Sequence, residues 1–369
     1  MNILHLNTER GWRGGERQTY LLARALAARG HGVWVAGRPD DELVERAARA
    51  GLPVLAAAPL FEFDFWMARR LRRWLRDLSV DVLHAHTGHA VGLGAVAVRG
   101  TRAKLVVTRR VDFPLKKGFP TRWKYGRADA VACISNRILE LVREAGVPAE
   151  KTVVIPSGID SAGYPSRTDR DRLRRERNVP AADPVLVHVG ALVPHKDQAT
   201  LLRAVQRVAL KEPRARLYIV GDGPLRGSLE RLARELGVAG RTTFVGRDPD
   251  PLSWTALADL FVFSSKEEGL GTALIDALVL GVPTAATAAG GIPDIYGGPG
   301  ASELSPPGKP EDLARNILSV LRDPVEASRR SARGRERAAL FTVDAMTGSY
   351  EKLYEGLLTS GLKPQASIL

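Results

Sequence analysis

A chain of 369 residues, 44% hydrophobic and 26% charged, exceeds what one core ordinarily supports and excludes a disordered polypeptide. Its single cysteine, Cys133, excludes an intrachain disulfide and fits a reducing compartment, and its longest nearly uncharged apolar stretch, residues 90–98, is too short to span a bilayer. The net charge of +13 calls for an anionic partner, yet no zinc-ligand spacing, basic heptad helix or aromatic RNA-reading strand is present, so nucleic acid is not expected.

Short apolar runs alternate with amphipathic helical stretches from the start. The opening MNILHLNTER turns polar after one strand-like run, which is not the profile of a leader, and a cytoplasmic protein is expected. Strands are predicted at 3–6, 33–36, 82–84, 105–108, 130–134 and 153–155, separated by helices such as 16–29, 67–78 and 137–145. Residues 160–183, polar and bearing Pro165 and Pro180, then read as a linker with a short charged helix. A second alternation follows, with strands at 185–189, 217–220, 242–245, 260–263 and 282–286. Continuous apolar strands with covering helices predict an α/β protein of two doubly wound, Rossmann-like domains facing each other across a cleft. Ligands of such sheets bind beyond the carboxyl ends of strands, so the residues after each run are the first candidates.

The strongest of these is SSKEEGLGTALIDALVLGVPTAATAAGGIPDI, residues 264–295. Gly269 and Gly271 keep a turn open before a helix at 272–280, whose free N–H groups and positive dipole end suit a diphosphate. Glu268 lies just before that helix and Asp276 on its second turn, so the two carboxylates are placed to grip sugar and ribose hydroxyls. A structural cap alone explains the bare strand–turn–helix equally well. A second segment, VGALVPHKDQATLL at 189–202, puts Lys196 just beyond a strand. A third, ERGWRGGERQTYLLARALAARGHGVWV at 9–35, carries Gly14 and Gly15 in a predicted loop where backbone can approach a ligand, without the spacing of a dinucleotide fingerprint.

DVLHAHTGHA, residues 81–90, places His84 and His86 on one side of a strand and His89 in the loop; no Cys or carboxylate falls at ligand spacing, so a metal is not expected. Residues 1–165 hold 26 Lys and Arg against 16 Asp and Glu, making the first domain the basic one. Between Arg99 and Arg127 ten basic residues meet one acid, Asp112, with Phe113, Phe119, Trp123 and Tyr125 interleaved. That stretch suits an anionic acceptor or an anionic membrane surface, or is simply a solvated loop. In FEFDFWMARRLRRWLRDL, residues 61–78, the stripe of Met67, Leu71, Trp74, Leu75 and Leu78 reads first as core packing, with Phe63, Phe65 and Trp66 left over for lipid.

Taken together these segments resemble glycosyltransferase family 4, from about residue 2 to 350 and in the family's order: the opening glycine loop, the HxH, the lysine loop, the Glu-x7-acid string with its GVP strand and GGIPD turn, and the smaller matches ACISN, PSGID and VGDGPLR. The resemblance implies a retaining GT-B enzyme of hexosyltransferase type working in bacterial cell-envelope or lipopolysaccharide biosynthesis. It assigns Glu268 to the donor sugar, Asp276 to the ribose, and Lys196 with the backbone of Gly269, Leu270, Gly271 and Thr272 to the diphosphate. Gly14 and Gly15 would approach the donor from the first domain, with His86 and Arg110 as further catalytic residues. Two positions depart from the family: Ala191 stands where it has an Arg, and Asp276 where it has a Glu. Arg110 stands at a histidine position and supplies a cation instead of an imidazole.

The expected organisation is an acceptor-binding domain at 1–165, a nucleotide-sugar domain at 166–344, and a terminal helix at 345–369 returning to the first domain. The expected activity is transfer of a hexose-type sugar from a nucleoside diphosphate donor to a hydroxyl of a cell-envelope glycan or lipid, without metal or cofactor, on the inner face of the plasma membrane. The alternatives are a GT-B sugar-nucleotide epimerase and an inactive polyanion-binding relative.

Overall fold

A computed structural model of the chain describes residues 1–115, 118–298 and 300–359; Lys116 and Lys117 of the basic loop, and 360–369 of the expected terminal helix segment, lie outside the described residues. Two compact units emerge. One is Met1–Asp160 together with the segment from Thr342; the other is Ser161–Phe341.

The first unit is built on seven parallel strands: β1 (Asn2–Leu6), β2 (Gly32–Gly37), β3 (Val54–Ala56), β4 (Val82–Ala85), β5 (Lys104–Arg109), β6 (Ala130–Cys133) and β7 (Thr152–Val154). Their order is β3-β2-β1-β4-β5-β6-β7, so the sequence order reverses between β1 and β4. Strands buried on both faces need apolar residues throughout, and Ile3, Val35, Val82 and Val106 are fully buried. Helix starts are set by capping side chains: Asp64 accepts from Met67 N at 2.9 Å, Thr87 from Ala90 N at 3.4 Å and Ser135 from Ile138 N at 3.4 Å. The helix Phe65–Asp77 buries Met67, Ala68, Leu71 and Leu75, so its apolar stripe is core packing, and Phe63, Phe65 and Trp66 stay outside. The final helix, Val343–Thr359, brings Met346, Tyr350, Leu353 and Tyr354 into the core of this unit beside Leu22 and Leu26. Its start lies against PSGID, with Val343 N donating to Ile159 O at 3.3 Å, and in the same turn the side chain of Gln18 donates to Gly158 O at 2.8 Å and accepts from Gly158 N at 2.9 Å.

The second unit repeats the plan with β8 (Val185–Val189), β9 (Arg216–Val220), β10 (Thr242–Gly246), β11 (Leu260–Phe263), β12 (Thr284–Thr287) and β13 (Leu304–Ser305), in the order β10-β9-β8-β11-β12-β13. Here the reversal lies between β8 and β11. Leu186, Leu217, Ile219 and Leu260 meet Leu201, Val205, Leu313 and Ile317 in its core.

Residues 161–183 hold the expected short charged helix, Arg170–Glu176, and the whole segment is packed as part of the second unit. Arg174 explains why: its side chain is buried, donating to Leu257 O at 3.2 Å and Ala181 O at 2.9 Å and pairing with Asp259 at 2.7 Å. A guanidinium whose donors all find acceptors can be buried, so a charged sequence is here a packed one. Among the described residues no helix is long and apolar enough to cross a membrane.

Candidate active site

In the second unit the candidates gather at the carboxyl ends of β8 and β11, the two strands flanking the order reversal. Glu268 and Lys196 form a close ion pair, each side chain about 15% exposed, and Ser265 Oγ donates to the same carboxylate at 3.3 Å. The two loops are also tied through backbone: Ser264 Oγ donates to Lys196 O at 3.0 Å and Lys266 N to His195 O at 2.8 Å. Lys196 Nζ lies 5.0 Å from the centroid of the Phe263 ring, a cation–π contact that holds the ammonium over the end of β11.

Glu268 is fixed from behind by the GGIPD turn. Gly291 N donates to Glu268 O at 2.8 Å, and a Cβ on Gly290, whose φ is +53°, would meet that oxygen at 2.0 Å. Only glycine permits that approach. Gly271, at φ +90°, starts the helix Thr272–Val279, which has neither a side-chain cap nor an acidic residue in its first turn. Its leading amides and dipole are therefore uncompensated by side chains, the condition under which a helix start attracts an anion. Gly269 and Thr272 are partly exposed and Leu270 is buried. Asp276 accepts from Tyr164 Oη at 2.5 Å, so its shorter side chain is held by a residue of the supposed linker. At Ala191, Gln198 Nε2 donates to the backbone carbonyl at 2.9 Å.

In the first unit the candidates lie at the ends of β1, β4 and β5, around a pocket of about 460 Å³ lined by Gly15, Glu16, His86, Gly88 and Arg110 among others. The His84 and His86 rings lie 3.9 Å apart between centroids, tilted by 37°, on one side of β4 as their spacing predicts. Their partner is not His89 but His5 of β1, whose Nδ1 is 2.9 Å from His86 Nε2. Arg110 donates from Nη1 to His86 Nδ1 at 3.0 Å. A guanidinium only donates, so His86 Nδ1 must accept, His86 Nε2 carries the proton, and that proton goes to His5 Nδ1. Burial and the Arg110 charge hold these rings neutral: His5 is pushed down to about 3, and His84 and His86 well below the ordinary histidine range, with burial the larger cause for each. His84 is bonded on both nitrogens, to Thr108 Oγ1 at 2.6 Å and Tyr354 Oη at 2.7 Å, and Thr108 in turn to Tyr350 Oη at 2.7 Å.

The imidazole nitrogens of His5, His84 and His86 lie within 4.8 Å of one another, near enough for a shared metal ion. His84 and His86 already use both nitrogens in hydrogen bonds and Arg110 adds a cation, so this donor set suits a hydrogen-bonded relay better than a metal. The geometry also changes what His86 does. With Nδ1 on Arg110 and Nε2 on His5, its role is to orient the guanidinium at the pocket.

Gly14 and Gly15 are not in a loop. They open the helix Gly14–Ala28, and Glu16 accepts from Arg13 N at 3.1 Å and from Asn7 Nδ2 at 3.4 Å. Neither glycine needs a positive φ, and a Cβ on either meets nothing within 4 Å. Open space beside two glycines at a helix start is room for a ligand against backbone. Gly15→Ala is therefore expected to raise stability by about 0.4–1 kcal/mol in urea unfolding, since alanine loses less chain entropy. If a ligand closes on this backbone, the same change weakens its binding; unchanged binding would show that nothing approaches here.

Sequence comparison bears on this geometry directly. The family description "Glycosyltransferase Family 4" matches residues 12–162 and "Glycosyl transferases group 1" matches residues 169–337. The lipopolysaccharide core biosynthesis glycosyltransferase LpsE of Rhizobium meliloti is 33% identical over 238 residues, 64% of this chain and 67% of that protein. The chain is a family 4 glycosyltransferase. A second relative of the enzyme, the 2-deoxystreptamine glucosyltransferase of Streptomyces kanamyceticus, is 29% identical over 330 residues, covering 81% of this chain and 84% of that one. Among solved structures, Anabaena HepE in complex with UDP superposes with a TM-score of 0.85 at 23% identity, over 97% of this glycosyltransferase and all of HepE. The lipopolysaccharide-biosynthesis glycosyltransferase WaaG does so at 0.68 and 16% identity, over 97% of this chain and all of WaaG. The fold of the family 4 enzyme is thus GT-B.

Proposed function

We propose that this glycosyltransferase moves a hexose-type sugar, with retention of configuration, from a nucleoside diphosphate donor held by the second unit to a hydroxyl of a cell-envelope glycan or glycolipid. The observation that carries the reading is the Lys196–Glu268 pair beside the uncapped start of the helix Thr272–Val279. A diphosphate entering there meets an ammonium and free amides, while the carboxylate it displaces from Lys196 is left for the sugar hydroxyls. Asp276 and Tyr164 are the polar pair one helical turn further in, and take the ribose. The positive end is supplied by the chain's own groups, so the reaction needs no metal or cofactor. Arg110, presented by His86, adds a cation toward the leaving phosphate or an anionic acceptor. Catalysis then rests on holding the partners together and stabilising the departing diphosphate.

Relatives support the donor class. HepE is solved with UDP and with UDP-glucose, and a mannosyltransferase of Mycolicibacterium smegmatis is named as GDP-mannose-dependent. LpsE and LpsD, both named for lipopolysaccharide core biosynthesis, support a cell-envelope acceptor. The test is a thermal-shift screen against UDP, GDP, ADP and CMP. A nucleoside diphosphate is expected to raise the melting temperature of the wild type, and Lys196→Ala is expected to weaken that binding by about 1–3 kcal/mol, or roughly 5- to 150-fold. Indifference of the wild type to every diphosphate would remove the donor assignment.

A further inference from the structure

The second unit has a cavity at the amino ends of its strands, the opposite end from Lys196 and Glu268. Pro184 precedes β8, Asp259 precedes β11 and Pro283 precedes β12; with Arg167, Arg170 and Arg174 they line a space of about 340 Å³. Leu321 and Ala327 add apolar lining. The volume falls at the lower end of the range of small-molecule sites.

Its charges do not balance. Arg174 is spent, since each of its three nitrogens donates: to Leu257 O, to Ala181 O and to Asp259. Asp259 is full as well, because Arg170 pairs with its other oxygen and Val185 N donates to it at 2.7 Å. The second acid of the lining, Asp183, is taken up by Arg216 at 2.7 Å and Arg214 at 3.1 Å. Three guanidinium groups thus share one carboxylate, and two positive charges are left over. Arg167 pairs with no carboxylate among the described residues; its Nη1 donates to Ala258 O at 2.8 Å. Arg170 Nε is buried and meets no acceptor among the described residues. Burial and the charges of Arg170, Arg174 and Arg335 push the Arg167 guanidinium below the ordinary arginine range, against the pull of Asp259.

Packing accounts for Arg174 but not for two further cations at the same cavity. Like charges held together with donors unused suit an oxyanion, which a guanidinium fork meets with two parallel hydrogen bonds. A phosphate monoester brings a charge of about −1.5 to −2 at pH 7 and three acceptor oxygens, matching the two charges left over, whereas a carboxylate answers only one. The cavity has room beyond the phosphate for the carbon body that carries it, against Leu321 and Ala327. We propose that this cavity binds a small phosphate monoester, making it a second anion site at the far end of the sheet from the donor loop. The proposal goes beyond the donor reading and does not depend on it, since no residue of the Lys196–Glu268 site takes part.

The experiment is isothermal titration of the full chain carrying Lys196→Ala, whose donor loop has lost its ammonium, with glucose 6-phosphate and with glucuronate at constant ionic strength. Glucose 6-phosphate is expected to bind saturably and roughly tenfold or more tighter than glucuronate. Adding Arg167→Gln/Arg170→Gln is expected to weaken it by roughly tenfold or more. Ala327→Glu keeps every arginine and gives the cavity a carboxylate of its own, so it is expected to lose the binding equally and guards against misfolding of the arginine variant. In the wild type, hydrogen exchange of the amides of residues 167–176 is expected to slow on adding glucose 6-phosphate. No saturable binding in the Lys196→Ala protein overturns the proposal, as does binding that survives both cavity variants or exchange that slows only at residues 264–272. Glucuronate binding as tightly as glucose 6-phosphate overturns it too, since the site would then not select a phosphate.

Discussion

Glu268→Ala is expected to lower turnover of the nucleotide-sugar donor by about 10³-fold while leaving the urea midpoint of the protein nearly unchanged. The carboxylate sits on a backbone fixed by the GGIPD turn, so truncating it does not free the loop; the bond from Gly291 N to Glu268 O survives. What changes is the partner of Lys196. That ammonium is paired with Glu268. Without the carboxylate the ammonium meets an incoming diphosphate with no competitor, so affinity for the bare nucleoside diphosphate is expected to hold or rise as turnover disappears. Lys196→Ala should instead lose both. The contrast separates a residue working on the sugar from one working on the phosphate; release of the nucleoside diphosphate picked out by the thermal-shift screen from its sugar conjugate, with an isothermal titration of that diphosphate, checks both halves. A Glu268→Ala protein that turns donor over normally would end the assignment of this site.

Much of this site was legible in the sequence because the features that build it are local. Gly271, the helix after it, Glu268 and the paired glycines lie within one stretch of strand, turn and helix, where positive φ and helix starts leave direct marks. The strands were legible for the same reason, being unbroken apolar runs, and those missed are the short edge strands β3 and β13, three and two residues long, too short for any periodicity to register. The illegible parts depend on long-range partners. His5 looks like any polar interruption of an apolar strand until His86, 81 residues on, is brought to it; Tyr350 meets Thr108 across 242 residues. His188 is hidden likewise, its Nδ1 bonded to Val262 O at 3.0 Å and burial pushing it down to about 4. The short charged helix within 161–183 is legible, but its packing is not, because composition records charge and proline but not whether a carboxylate such as Asp259 waits in the core to receive an arginine. Gly14 and Gly15 were read as loop since glycine disfavours helices, a cost that the Glu16 bond to Arg13 N partly offsets at this helix start.

The buried histidines make acid sensitivity of the fold the second large expected effect. His5, His84, His86 and His188 all have folded values pushed far below the ordinary histidine value of 6.5, with burial the leading cause. The unfolded chain therefore binds protons that the folded chain refuses, and stability must fall as pH drops below about 6.5 toward the folded values. Each such histidine withdraws about 2 kcal/mol between pH 6.5 and 5. Carboxylates do not confuse this window. Glu326, lowered to about 2 by Arg329 and Arg330, stabilises the fold above its ordinary value of 4.5 and gives that up only below it. Urea midpoints followed by fluorescence are thus expected to drop steeply from pH 7 to 5, and His5→Gln to flatten the slope by about one histidine's share. The same locking has a kinetic consequence. Because His86 gives its lone pair to Arg110 and its proton to His5, the pH profile of donor turnover is expected to lack the inflection near 6.5 that a solvent-exposed histidine base would produce. An inflection there, abolished in His86→Asn, would return His86 to proton transfer and leave Arg110 without its positioning partner.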